Sequence, residues 1–309
     1  MRGWVLILVL VLLGGCGGAD GPVIDLSERI DDRELQVMAP QAEDDVIRVG
    51  FELRASPQED ARQYLPFLHY LAAATGQRFS LRFTPSGVSL DRELAQGRVQ
   101  LALMGAVGYI KTHRDSGAII LARGLNREGR DKYRSFIVVT PESPLRQLDE
   151  LRGHRLAFGS RDSTQGHLIP RIMLARIGLG LQDLAGYAYT GSHQACANAV
   201  LAGRFDACGM QDTMARDMAK AGLLRVLARS REYPSSGVVA SAGLDAGLRE
   251  RIREALLAFD PEADYMGDFY HWERTEMPRG FTRASDADYA ELRRWVRRLG
   301  LLPAMEGRE

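Results

Sequence analysis

The sequence predicts an α/β protein of two lobes, each a mainly parallel sheet flanked by helices, with a ligand cleft between them. Three observations predict it. Strand-like and helix-like runs alternate from Val46 to Gly300, the pattern of βαβ units. The alternation pauses at Pro141 and Pro144 and then restarts, so two series join near residue 140. Several strand-like runs lead straight into helix starts rich in Gly, Ser and Thr, and in such sheets ligands bind beyond the carboxyl ends of the strands. A chain of 309 residues, 45% of them hydrophobic, is long enough for two cores of roughly 100–150 residues each.

In chain order, "VIRVGF" (46–51) is short and β-branched. "EDARQYLPFLHYLAAATG" (59–76) places Tyr64, Phe67, Leu68 and Leu71 on one helical face and stops at Gly76. "RFSLRF" (78–83), a helix around "SLDRELAQG" (89–97), "VQLALM" (99–104) and a helix from about Ala106 continue the series, which closes on the long strand "YRSFIVVT" (133–140). Beyond the prolines come "LDELRG" (148–153), "RLAFG" (155–159), a helix to Gly178, "YAYTG" (187–191), a helix to Gly203, "FDACGM" (205–210), a helix to Gly222 and "LLRVLA" (223–228). "GVVAS" (237–241), the helix "LRERIREALLAF" (248–259) and a last helix entered through the capping-box-like Ser285 and Asp288 return to the first lobe. The expected division is lobe I at 46–140 with 235–309, and lobe II at 141–234.

The first residues, "MRGWVLILVLVLLGGC", hold an unbroken apolar run from Trp4 to Leu13, too short for a permanent span of ~20 residues. They read as a signal peptide over 1–15. Leu13-Gly14-Gly15-Cys16 resembles the lipobox of bacterial lipoproteins, which makes Cys16 the lipidated first residue of a chain anchored in the cell envelope by lipid alone. Residues 16–45, rich in Gly, Asp and Glu, read as a flexible tether.

The 40 basic and 40 acidic side chains cancel, leaving no net field to hold nucleic acid. A local anion site is still open. Cys196 and Cys208 allow three readings: a disulfide suited to an oxidising compartment, two buried small hydrophobes, or a ligand-facing thiol at Cys196 that would favour a thiophilic oxyanion such as arsenite.

In "FGSRDSTQGHLIP" (158–170) a strand end runs into hydroxyl residues at a helix start. Unpaired backbone N–H groups and the positive end of the helix dipole, with the hydroxyls of Ser163 and Thr164 beside them, suit an oxyanion. "TGSHQACANAV" repeats the construction with Ser192 and His193, and "LMGAVGYI" places Gly105, Gly108 and Tyr109 after a strand of the first lobe.

With these motifs the sequence resembles the extracytoplasmic binding proteins of phosphate, phosphite and phosphonate ABC transporters, over roughly 46–300. The resemblance rests on the Ser56-Pro57 loop, the Tyr109 element, "FGSRDSTQGHLIPR", "TGSHQACANAVLAGRFDACG" and "DADYAELRRWVRRLG". It implies a periplasmic-binding-protein fold of the second type, with the oxyanion held by Ser163, Thr164, His193 and Tyr109. Gln165 stands where relatives commonly carry serine and is expected to donate still. Gln194 replaces an acidic residue, which is expected to alter ligand contacts or histidine orientation. Met104 and Ala106 replace an aromatic and a proline. Ser235 and Ser236 stand where binders of amino-phosphonates offer a carboxylate, so a small oxyanion without a tail is expected. The expected partner is an ABC transporter permease; the alternative is a receptor role beside a membrane sensor kinase or cyclase. A monomer without cofactor or metal is expected. GxSxG, HExxH and metal-type cysteine clusters are absent from the sequence, so the reading is a binder and not an enzyme.

Overall fold

The computed structural model describes residues 46–51, 57–84, 88–263 and 269–302. The expectations for the signal peptide, Cys16, the tether and Ser56 lie outside the described residues. Asp45–Glu309 forms one compact unit, and both sheets belong to it.

The first sheet collects β1 (Val46–Phe51), β2 (Arg78–Phe83), β3 (Leu101–Met104), β4 (Ile119–Gly124), β12 (Gly237–Ala240) and β13 (Phe281–Arg283), in the order β13-β4-β12-β3-β1-β2. The second runs β10-β6-β9-β7-β8, from β6 (Ser135–Val139), β7 (Arg155–Phe158), β8 (Gly186–Tyr189), β9 (Ala207–Gln211) and β10 (Arg225–Arg229). Both sheets are mixed, and the expected mainly parallel pairing is corrected. β1 is parallel to β2 and β3, and β7 to β8 and β9. The remaining pairs, β12 with β3 and β4, β13 with β4, and β6 with β9 and β10, are antiparallel. Parallel pairing needs a helical crossover, and β12 instead enters the first sheet on returning from the other lobe.

The lobe boundary also moves. β6 lies in the second sheet, so the chain crosses near Lys132–Tyr133, before residue 140. It crosses back at Tyr233–Pro234, and the two crossing segments pair with each other as the short ladder β5 (Lys132–Tyr133) and β11 (Tyr233–Pro234). Pro141 and Pro144 mark a turn inside the second lobe.

Strand alternation sets the cores. In β3 every residue is buried, Leu101 and Leu103 joining one apolar cluster while Ala102 and Met104 join another on the opposite face, as a period of two requires. Helix α1 (Pro57–Thr75) buries Tyr64, Phe67, Leu68 and Leu71 as its spacing predicts. Phe67 meets Phe259, Trp272 and Phe281 at centroid distances of 5.1, 5.3 and 5.6 Å, which fastens the C-terminal segment onto the first lobe. Among the described residues no helix is long and apolar enough to cross a membrane.

Candidate ligand-binding site

β7 delivers the chain to Gly159, and the backbone then folds back so that Gly159 N donates to Gly166 O at 3.0 Å. Ser163 caps the next turn, its Oγ accepting from Gly166 N at 2.8 Å. The helix starts with a wide π turn, Thr164–Leu168, before continuing as Ile169–Arg176. Opposite, Ser192 Oγ accepts from Ala195 N at 3.1 Å at the head of the helix His193–Leu201. The two helix starts touch through Gly166: a Cβ there would come within 2.9 Å of both His193 Cε1 and Ser163 Oγ. Only glycine lets the imidazole lie against the turn.

The first lobe supplies a third helix start. The helix Ala106–Ser116 has Gly105 at its cap position and no side chain of its own capping it. Thr164 does so from the other lobe, its Oγ1 accepting from Val107 N at 3.0 Å. A Cβ on Gly105 would fall 2.6 Å from that oxygen, so this approach also requires glycine. With its oxygen taken up as acceptor, the Thr164 hydroxyl has its hydrogen left to donate.

These three starts border one small cavity between the lobes, about 30 Å³ in volume. Five of the six ligand-binding residues expected from the sequence border it, namely Ser163, Thr164, Gln165, Ser192 and His193. Ser160, Gly191, Tyr133, Ser236 and Glu276 border it as well. Tyr133 and Glu276 carry no motif and lie far in sequence from the helix starts, so only the fold brings them in.

Tyr109 is not at the cavity. It is buried in the first lobe, with its hydroxyl donating to Asp286 Oδ1 at 2.9 Å and its ring packed 4.9 Å from that of Tyr289. It lies one turn inside its helix, on the face turned to the C-terminal segment, and burial with the Asp286 contact pushes its pKa upward. Gln165 has no amide hydrogen left over for a ligand: Nε2 donates to Arg134 O at 2.8 Å and Asp212 Oδ1 at 3.2 Å. Gln194 points away, its Nε2 donating to Asn198 Oδ1 at 3.0 Å on the exposed side, so the missing carboxylate at 194 leaves the cavity untouched. Cys196 offers no thiol. It forms a disulfide with Cys208, with S–S 2.02 Å and Cα–Cα 5.9 Å, tying the His193 helix to β9.

Supporting groups hold the walls. Burial lowers the His167 pKa to about 4. The ring therefore stays neutral, with Nδ1 donating to Arg161 O at 2.7 Å and Nε2 accepting from Tyr189 OH at 3.0 Å, which fixes the loop that carries Ser160 and Ser163. Burial pushes the Asp212 carboxyl up, against the pull of Arg216 and reinforced by the charge of Glu276. Among the described residues, no group of three His, Cys, Asp or Glu could hold a metal ion.

Residues 49–289 match a family described as ABC transporter, phosphonate, periplasmic substrate-binding protein. The probable ABC transporter phosphite binding protein PhnD1 of Prochlorococcus marinus (strain MIT 9301) is 29% identical over 180 residues, 54% of this chain and 54% of that protein. The match thus spans about half the length of this relative. The structure of PhnD1 from the same organism in complex with methylphosphonate superposes with a TM-score of 0.75 at 18% identity, covering 84% of this chain and 99% of that one. A binding protein component of an ABC phosphonate transporter from Pseudomonas aeruginosa gives a TM-score of 0.72 at 18% identity, covering 84% and 89%. At these identities the structural likeness speaks for the two-lobed fold alone.

Proposed function

Because the chain belongs to the family of periplasmic substrate-binding proteins of phosphonate ABC transporters, we propose that it captures a small phosphorus oxyanion, of the phosphite, phosphate or phosphonate class, in the interlobe cavity and delivers it to an ABC transporter permease. The observation that carries this reading is the convergence of helix starts from both lobes on one cavity lined by Ser163, Thr164, Ser192 and His193. Backbone N–H groups and hydroxyls arrayed this way meet the spread negative charge of a tetrahedral anion. Hydrogen bonds to a charged ligand contribute ~1.5–3 kcal/mol each, so four or five give a gross total of roughly 6–15 kcal/mol, a range that contains the ~8 kcal/mol of a micromolar complex before desolvation and lobe closure are subtracted.

The family binds its ligands for transport and is not a family of enzymes. Its location is the periplasm, and a lipid on Cys16 would hold this member at a membrane surface facing that compartment. The reading of Cys196 as a ligand for arsenite is withdrawn, since its sulfur is bonded to Cys208, and nothing in the family supports a sensor in place of a transporter. Calorimetric titration with phosphite, phosphate, methylphosphonate, an aminoalkyl phosphonate and arsenite tests the proposal. Micromolar or tighter binding of a phosphorus oxyanion, without binding of arsenite, is expected. Silence toward every phosphorus ligand would contradict it.

A further inference from the structure

Almost every group on the second-lobe side of the cavity is a hydrogen-bond donor or a helix start. The first lobe adds a residue of opposite character, Glu276, which is 9% exposed and borders the cavity. The segment bearing it is tightly held. Thr275 Oγ1 donates to Trp272 O at 2.8 Å and accepts from Met277 N at 3.2 Å, and Trp272 Nε1 donates to Met277 O at 3.1 Å. A Cβ on Gly124 would lie 3.1 Å from Glu276 O, so the backbone is pressed against β4. The segment that places Glu276 is therefore fixed before any ligand arrives.

An ionised carboxylate only accepts hydrogen bonds. Facing a proton-free anion it repels it; facing an acidic P–OH it makes a short charge-assisted bond. We propose, resting on the oxyanion-binding reading above, that Glu276 is a specificity-determining residue whose carboxylate accepts the proton of a singly ionised phosphorus oxyanion, so that the cavity rejects proton-free anions such as sulfate and alkanesulfonates. The ionisable groups around it are Tyr133 and His193 within the cavity, and Asp212, Arg216, Arg127 and Glu128 in the adjoining space that Glu276 also borders.

The test is calorimetric titration of the wild-type protein and of E276Q with methylphosphonate, an aminoalkyl phosphonate, methanesulfonate and sulfate from pH 5.5 to 8.5, with thermal melts to confirm that both are folded. The wild-type protein is expected to bind methylphosphonate alone, with affinity falling about tenfold per pH unit above the ligand's second ionisation. In E276Q, whose amide can donate as well as accept, that slope flattens and the sulfur anions gain at least tenfold. Wild-type binding of methanesulfonate or sulfate on a par with methylphosphonate would overturn the proposal even if E276Q failed to fold. A slope that persists in E276Q would have another source and would overturn it too. A preference for an aminoalkyl phosphonate that disappears in E276Q would assign the carboxylate to the ligand's ammonium and so also overturn it. Failure of the wild-type protein to bind any phosphorus oxyanion would remove the functional reading first, and the proposal with it.

Discussion

At position 164 one hydroxyl serves both lobes, capping Val107 from across the cleft while bordering the cavity. Residue type alone suggested Ser163, Thr164, Ser192 and His193, because a helix start after a strand puts small polar side chains beside unpaired amides wherever the helix goes. Residue type did not suffice for Tyr109, since a tyrosine four positions beyond a cap residue can face the cleft or the core, and the neighbouring Asp286 and Tyr289 that draw it inward are about 180 residues away in sequence. A testable consequence at this scale belongs to His167. Between pH 6.5, its ordinary value, and about 4, its value in the buried site, the unfolded chain takes up a proton that the folded protein refuses. Stability therefore falls as pH drops through that window, by on the order of 3 kcal/mol at most. Melting temperatures measured from pH 7.5 to 4 should show this slope, and His167→Gln should lose part of it; identical slopes would contradict the assignment.

At the scale of elements, the disulfide joins the His193 helix to β9 with 12 residues of sequence separation between its cysteines. Closing a loop of that size contributes about 3 kcal/mol by restricting the unfolded chain. The double variant Cys196→Ser, Cys208→Ser should lose stability of that order in chemical denaturation while methylphosphonate affinity, measured on the folded protein, is retained. Unchanged stability would contradict a bonded pair. Spacing could not choose between a bond and two buried thiols, because the separation of the cysteines depends on the packing of a helix against a strand. Two of the helix starts were legible because each combines a glycine, a capping hydroxyl and an apolar run, whereas the third, at Gly105, takes its hydroxyl from Thr164 across the cleft. β4 was not: "IILARG" is a short apolar run between a helix and a turn, and it becomes a strand by pairing with β12 and β13, both more than 100 residues later. The position of β6 was misread for a similar reason. Pro141 and Pro144 end that strand as punctuation should, but sheet membership is decided by partners β9 and β10, which no local pattern records.

At the scale of the whole molecule, two chain crossings paired as β5 and β11 are the covalent links between lobes, and the cavity lies where helix starts of both lobes meet. Lys111 of the first lobe pairs with Asp162 of the second, and Val107 donates to Thr164, so contacts that join the lobes also order the site. Glu276 shows what only the assembled fold reveals, since nothing near it in sequence marks it for the cavity that "DSTQG" and "TGSH" announce. The most direct measurement is the methylphosphonate dissociation constant of the wild-type protein, Thr164→Val and His193→Ala by calorimetry, with a melt of each. Micromolar or tighter binding by the wild-type protein, weakened ~10–100-fold in each variant as the loss of a hydrogen bond to a charged ligand implies, is the predicted result, with His193→Ala melting near the wild type and Thr164→Val folded but melting lower because Val107 N loses its cap. Undiminished affinity in both variants would contradict the site and the account built on it.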